Sequence, residues 1–211
     1  MATFEQGILG GFSGKVGTVI GGNWKGIDFM RGKSRKRNFV PTQKQLEQQI
    51  KFGVTMRFVQ PMSSLLEVSF KDYAIKKTGV NSAFSYNIDN AITGVFPDYT
   101  IDYSLALVSR GLLPNGLGPT VTVGAGSILT WSWSDSTGGE AQATDEAILV
   151  AFCPEMRQVI YTTAGGERSG LTADLNLLTF AGKTVETYIG FISADGKKVA
   201  TSIFTGEVTV S

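Results

Sequence analysis

A chain of 211 residues with 42% apolar content and a net charge of +1 has room for one large or two small domains and the composition of an ordinary globular protein. It holds no histidine and a single cysteine, which excludes an internal disulfide, a zinc site of ordinary type and the usual general base near neutral pH. No segment reaches the roughly 18 consecutive apolar residues of a spanning helix, and the start MATFEQGILG lacks a basic stretch before an apolar one, so the expectation is a chain without a signal peptide, cytoplasmic at synthesis and destined for the cell, a virion or an extracellular assembly.

The small net charge hides an asymmetry. Residues 1–77 carry 13 Lys and Arg against 5 Asp and Glu, whereas residues 78–211 carry 6 against 13. Either the two parts neutralise each other within one molecule, or they associate head to tail between molecules, or the basic end meets a polyanion.

Residues 1–40 read as a basic, glycine-rich β arm. Short β-prone pieces at 16–20 and 24–30 flank Gly21, Gly22 and Asn23, which carry a hairpin signal. Glycine supplies no buried side chain and costs backbone entropy. Such an arm must therefore lie on its own body or on a neighbouring chain, with Ile8, Phe12, Val19 and Trp24 as apolar anchors. The run RGKSRKR, which contributes Lys33, Arg35, Lys36 and Arg37, is either a solvated connector or a contact for a polyanion or an acidic partner. Lys15, Lys25 and Arg31, interleaved with Phe12, Trp24 and Phe29, also fit a single-stranded nucleic-acid surface. The plainer alternative leaves the charges wet and uses the aromatic rings as anchors.

Residues 41–96 read as a helical segment. Thr42 suits an N-cap with Gln45 three residues on. Leu46, Ile50, Val54 and Phe58 follow at helical spacing, and Phe52, Met56 and Val59 fall on another side, which predicts a helix covered on two sides. Pro61 ends or kinks it, residues 62–66 continue as a short piece, and residues 82–92 form a further helix stopped by Gly94.

From residue 97 the period changes to two. Tyr99, Ile101, Tyr103, Leu105 and Leu107 alternate with smaller or polar residues. Val121 and Val123, then Leu129, Trp131 and Trp133, then the continuous apolar run 147–153, then Val159 and Tyr161, mark successive strands. Asp195 and Gly196 carry the strongest hairpin signal, and Val208 and Val210 close the set. Seven or eight short strands point to an antiparallel β-sandwich of immunoglobulin-like architecture over 97–211. The whole is an α+β fold, mainly β, whose sandwich is expected to fold alone from about Val95. No fixed period runs along the chain, which argues against a solenoid or propeller.

Candidate chemistry fails on spacing. Gly14-Lys15, Gly32-Lys33 and Gly182-Lys183 have Leu9, Ile27 and Leu177 where a phosphate-binding loop needs its first glycine. Ser13 lacks both the nucleophile-elbow register and a histidine partner. Asp145 and Glu146 are adjacent, so on a strand they point to opposite faces, and they read as a solvated strand entrance. Trp131 and Trp133 share a face, either as sandwich core or as a stacking platform. Cys153 reads as a buried, inert thiol.

The run GILGGFSGKVGTVIG from Gly7, followed by Trp24, Lys25 and Gly26, by Met30 and Arg31, and by Pro41, Thr42, Gln45 and Phe52, resembles an uncharacterised family of Bacteroidota, the domain of unknown function 6266. Ser85, Tyr86 and Asn87, the run NAITG from Asn90, YTIDY from Tyr99 and SADGK from Ser193 fit as well, while Gln49 departs from the family pattern. The resemblance implies no known activity, cofactor or catalytic residue. The layout of arm then helix is similar to segments of phage structural proteins, an analogy of architecture alone.

The expectation is a non-enzymatic structural protein, a homo-oligomer that self-assembles through its arm as a filament, virion or surface-layer subunit. No cofactor, metal or catalytic residue is expected, and no small-molecule substrate is identified. The alternatives are a nucleic-acid-binding protein that uses the basic arm, and an adhesin or ligand-binding module that uses loops such as 135–144.

Overall fold

A computed structural model describes residues 3, 4, 7, 10–34, 40–134 and 138–211. The chain is 41% strand and 25% helical, and it divides into two compact units, Met1–Thr42 and Gln43–Ser211.

The first unit is a meander of four antiparallel strands, β1 (Thr3–Phe4), β2 (Phe12–Val16), β3 (Val19–Trp24) and β4 (Ile27–Gly32), hydrogen-bonded in chain order. Its turns are not where the glycine pair suggested. Gly21 and Gly22 lie inside β3, opposite Met30 and Phe29 of β4. The β3–β4 turn is instead Lys25-Gly26, both at positive φ (49° and 82°). That is the two-residue geometry whose twist matches paired strands. Asn23 fixes it: its carboxamide oxygen accepts the Gly26 N–H at 3.0 Å, and its Nδ2 donates to Asp28 Oδ1 at 2.7 Å.

The second unit opens with α1 (Gln43–Val59), α2 (Ser63–Ser69) and α3 (Gly79–Asn90). Pro61 falls in a 3₁₀ turn between α1 and α2, where its missing N–H interrupts no α-helical bond. The α3 helix starts three residues before the expected position because the Thr78 hydroxyl caps it, accepting the Asn81 N–H at 3.1 Å. The helix α1 is buried on one side and toward its end, at Thr55, Phe58 and Val59. Phe52 meets the Phe84 ring at 4.8 Å yet stays 52% exposed, so the expectation of cover on two sides fails there.

A hairpin follows, β5 (Ile92–Val95) and β6 (Asp98–Ile101). The long strand expected through Leu107 stops at Ile101. Asp102 Oδ1 accepts both the N–H and the hydroxyl of Ser104, at 3.0 and 2.5 Å, and this turns the chain out of the extended form. The buried Asn87 side chain then holds the released segment, donating to the Leu107 carbonyl at 3.0 Å and accepting the Leu107 N–H at 2.9 Å.

The sandwich comprises β7 (Leu117–Val123), β8 (Ile128–Ser134), β9 (Glu146–Cys153), β10 (Gln158–Thr162), β11 (Thr172–Asn176), β12 (Thr184–Ile192) and β13 (Ile203–Thr209). One sheet has the order β10-β9-β12-β13, the other β11-β8-β7. Leu129, Trp131 and Trp133 of β8 share a core with Leu149, Ala151 and Cys153 of β9. The opposite face of β9 and β12 presents Ile148, Val150, Phe152 and Tyr188, which share a second core with Phe58, Met62, Leu65 and Leu66 of the helices. This double burial is why 147–153 reads as an unbroken apolar run. It also changes the expectation of a sandwich complete from Val95, since one face of its central sheet is covered by helices from earlier in the chain.

Candidate assembly surface

A four-stranded sheet with nine glycines in its first 32 residues cannot build much interior. Gly21 is buried because the Phe12 ring lies across it; a Cβ there would stand 2.6 Å from ring carbons. Gly22, on the other face, sits under Phe29, with 3.0 Å from an added Cβ to the ring tip. Two phenylalanine rings thus pack directly on two backbone glycines. Trp24, Ile27 and Met30 are uncovered, 55, 66 and 72% exposed, and Phe29 itself stays 45% exposed.

The strand β4 closes one edge of this sheet, and all six of its residues are exposed. Among the described residues no strand pairs with its outer side. Its row of backbone N–H and C=O groups is the kind of edge that natural proteins shield or use for pairing. Lys15, Lys25, Arg31 and Lys33 are exposed around it. Residues 1–42 carry 7 Lys and Arg against 2 Asp and Glu, and residues 43–211 carry 12 against 16, so the two units are oppositely charged, +5 and −4.

Of the expected anchors, Phe12 lies over Gly21, while Val19 and Trp24 sit at opposite ends of β3. Five residues apart, they point to opposite faces and stand about 17 Å from each other. They do not form one patch. The strand register places Trp24, Ile27 and Phe29 on one face and Met30 on the other; Ile27 and Met30 are not among the expected anchors. Lys33 follows β4, its N–H donating to the Thr18 carbonyl at 2.7 Å. Ile8, Arg35, Lys36 and Arg37 lie outside the described residues, as do residues 135–137 of the loop 135–144.

Elsewhere the candidate groups are absorbed by the fold. Trp131 and Trp133 are buried, their indole N–H groups donating to Thr205 Oγ1 at 3.1 Å and to the Arg168 carbonyl at 2.9 Å. Asp145 is no solvated strand entrance: it is buried against the equally buried Arg168, 3.3 Å from the guanidinium, and it accepts the Gln142 N–H at 2.9 Å. The same guanidinium donates to the Pro114 carbonyl at 2.7 Å and lies 4.1 Å from the centre of the Phe191 ring. Three loops are tied together at that end. Glu186 stands opposite Glu207 across β12 and β13, and burial, with a smaller push from Glu207, raises its pKa to about 7. No described helix is long and apolar enough to cross a membrane.

No curated protein matches the chain. A family model does, over residues 11–206, from β2 of the meander into β13 of the sandwich. The chain belongs to that family, DUF6266, a family of unknown function.

Proposed function

We propose that this protein is a non-enzymatic structural subunit that assembles by strand addition through its N-terminal meander. The observation that carries the reading is β4, an edge strand with all six residues exposed and with Ile27, Phe29 and Met30 uncovered along it. Burying such side chains gains about 25 cal/mol per Å² of apolar surface removed from water. Backbone pairing on the edge adds affinity, and alternate side chains set the register. The opposite charges of the two units favour an arm meeting the acidic body of another molecule. A contact of this heterologous kind need not close, and it propagates into a ring or fibre.

A second reading rests on a separate observation: exposed Lys15, Lys25, Arg31 and Lys33 surround exposed Trp24 and Phe29, the mixture that tracks a single-stranded nucleic acid. Light scattering of nuclease-treated protein over a range of concentrations separates the two. Mass that grows with concentration, and that collapses when residues 1–42 are removed, supports assembly. A full-length chain that stays monomeric throughout and binds single strands with a steep salt dependence supports the second reading and ends the first.

A further inference from the structure

A cavity of about 610 Å³ opens in the second unit between the end of α1 and the β9–β10 turn. A second, of about 260 Å³, adjoins it. Arg57 and Arg157 line both. No aspartate or glutamate lines either one. Among the described residues neither guanidinium has a hydrogen-bond or ion-pair partner, and the one acid of the turn, Glu155, is held by Lys183 at 2.7 Å. The walls of the larger cavity are otherwise Pro61, Val159, Ile160 and Phe180, with Gln60, Gln158 and Thr179 as hydrogen-bonding groups.

Two further features set these arginines apart from ordinary surface charges. They share a rim in a unit whose net charge is negative, where a basic side chain has carboxylates to choose from. Arg157 also holds a left-handed backbone conformation, φ +53°, which costs a side-chain-bearing residue about 1 kcal/mol that glycine or asparagine would largely avoid. The turn therefore carries an arginine at a position where its backbone is unfavourable, and the side chain it projects lines the cavity.

We infer that this cleft binds a small organic oxyanion, a carboxylate or phosphate carried on an apolar body. The two guanidiniums offer planar forks of donors that match a carboxylate or phosphate edge. Their mutual repulsion is relieved when an anion sits between them. The apolar walls accept the body of the ligand, and Gln60 and Thr179 orient any hydroxyls. This site is independent of the arm and of any assembly through it.

The test is titration calorimetry on the full-length protein with three probes: inorganic phosphate, phenyl phosphate and benzoate. One or both organic anions bind at least tenfold more tightly than inorganic phosphate, and whichever is tighter identifies the head group. Arg57→Gln and Arg157→Asn each weaken that binding at least tenfold. Both sites are exposed, and asparagine tolerates the left-handed turn, so both variants retain the parent's melting temperature within a few degrees in the absence of probe. Lys44→Gln, on the exposed first turn of α1 away from the cavity lining, binds as the parent does. The basic arm is common to all four proteins, so the differences report the cleft alone. Equal binding by parent and both arginine variants overturns the inference, and so does the absence of any preference for the organic anions.

Discussion

Replacing Asp145 by alanine removes the carboxylate that lies 3.3 Å from a fully buried guanidinium. Arg168 is 0% exposed and Asp145 1%. After the change Arg168 keeps the Pro114 carbonyl and the Phe191 ring, but its charge loses the Asp145 carboxylate, and the Gln142 N–H loses its acceptor. Breaking a buried pair from one side costs about 3–5 kcal/mol, most of it the isolated charge. For a chain of this size 1 kcal/mol moves the melting temperature by about 2–4 °C, so Asp145→Ala melts about 6–20 °C below the parent. The pair itself, by contrast, contributes little net energy, because both ions were taken from water. The double variant Arg168→Met with Asp145→Leu therefore recovers most of the loss. Differential scanning calorimetry of the parent, the two single variants and the double variant gives the cycle. A single variant within about 2 °C of the parent, or a double variant no better than Asp145→Ala, refutes the argument that the buried Arg168 charge depends on the Asp145 carboxylate.

Other outcomes follow from neighbouring features. The pKa of Glu186 is raised from 4.5 to about 7 in the folded chain, so the unfolded state ionises first. Stability on this account is greatest below pH 4.5, falls as pH rises toward 7 and is flat above, and Glu186→Gln removes that slope in urea titrations run at each pH; the full difference is at most about 3 kcal/mol and is reduced by solvent screening. A fragment of residues 43–211 melts cooperatively, while one starting at Val95 exposes Ile148, Val150, Phe152 and Tyr188 and aggregates or binds a hydrophobic dye; a soluble, cooperative Val95 fragment would show that the helices are dispensable. Asn87→Ala leaves the Leu107 N–H and carbonyl without their side-chain partner and lowers stability by about 2–4 kcal/mol, read from the denaturation midpoint. Phe29→Lys with Met30→Lys on β4 shifts assembly in light scattering to at least tenfold higher concentration without altering the melting of the second unit.

What the chain disclosed in advance follows from how each element is buried. The strand β8 was readable because it is buried on one side only, so Leu129, Trp131 and Trp133 alternate with polar residues. The strand β9 was readable for the opposite reason, an apolar run enclosed on both faces. The β5–β6 hairpin was missed because Gly94 looks like a helix stop; in the fold a Cβ there would collide with the backbone of Asp98 across the hairpin. The meander misled in a similar way, since Gly21 and Gly22 serve ring packing inside a strand and the turn falls to Lys25 and Gly26. Asp145 and Arg168 are 23 residues apart, Arg57 and Arg157 a hundred. No local spacing joins such partners; only the closing of the sheets does.

The placement of β9 and β12 has a consequence for how this family can drift. Each strand is read twice, its alternate positions answering to two interiors that do not touch across the sheet. Leu149, Ala151 and Cys153 are matched to the second sheet, and Ile148, Val150 and Phe152 to the helices. Changes on one set need compensation only on their own side, because side chains on opposite faces with no shared partner act additively. The helical layer could thus be remodelled for a new neighbour while the two-sheet body keeps its packing, and the reverse holds as well. A central strand that tolerates almost no polar residue is, by this route, the feature that lets the two halves of the molecule change independently.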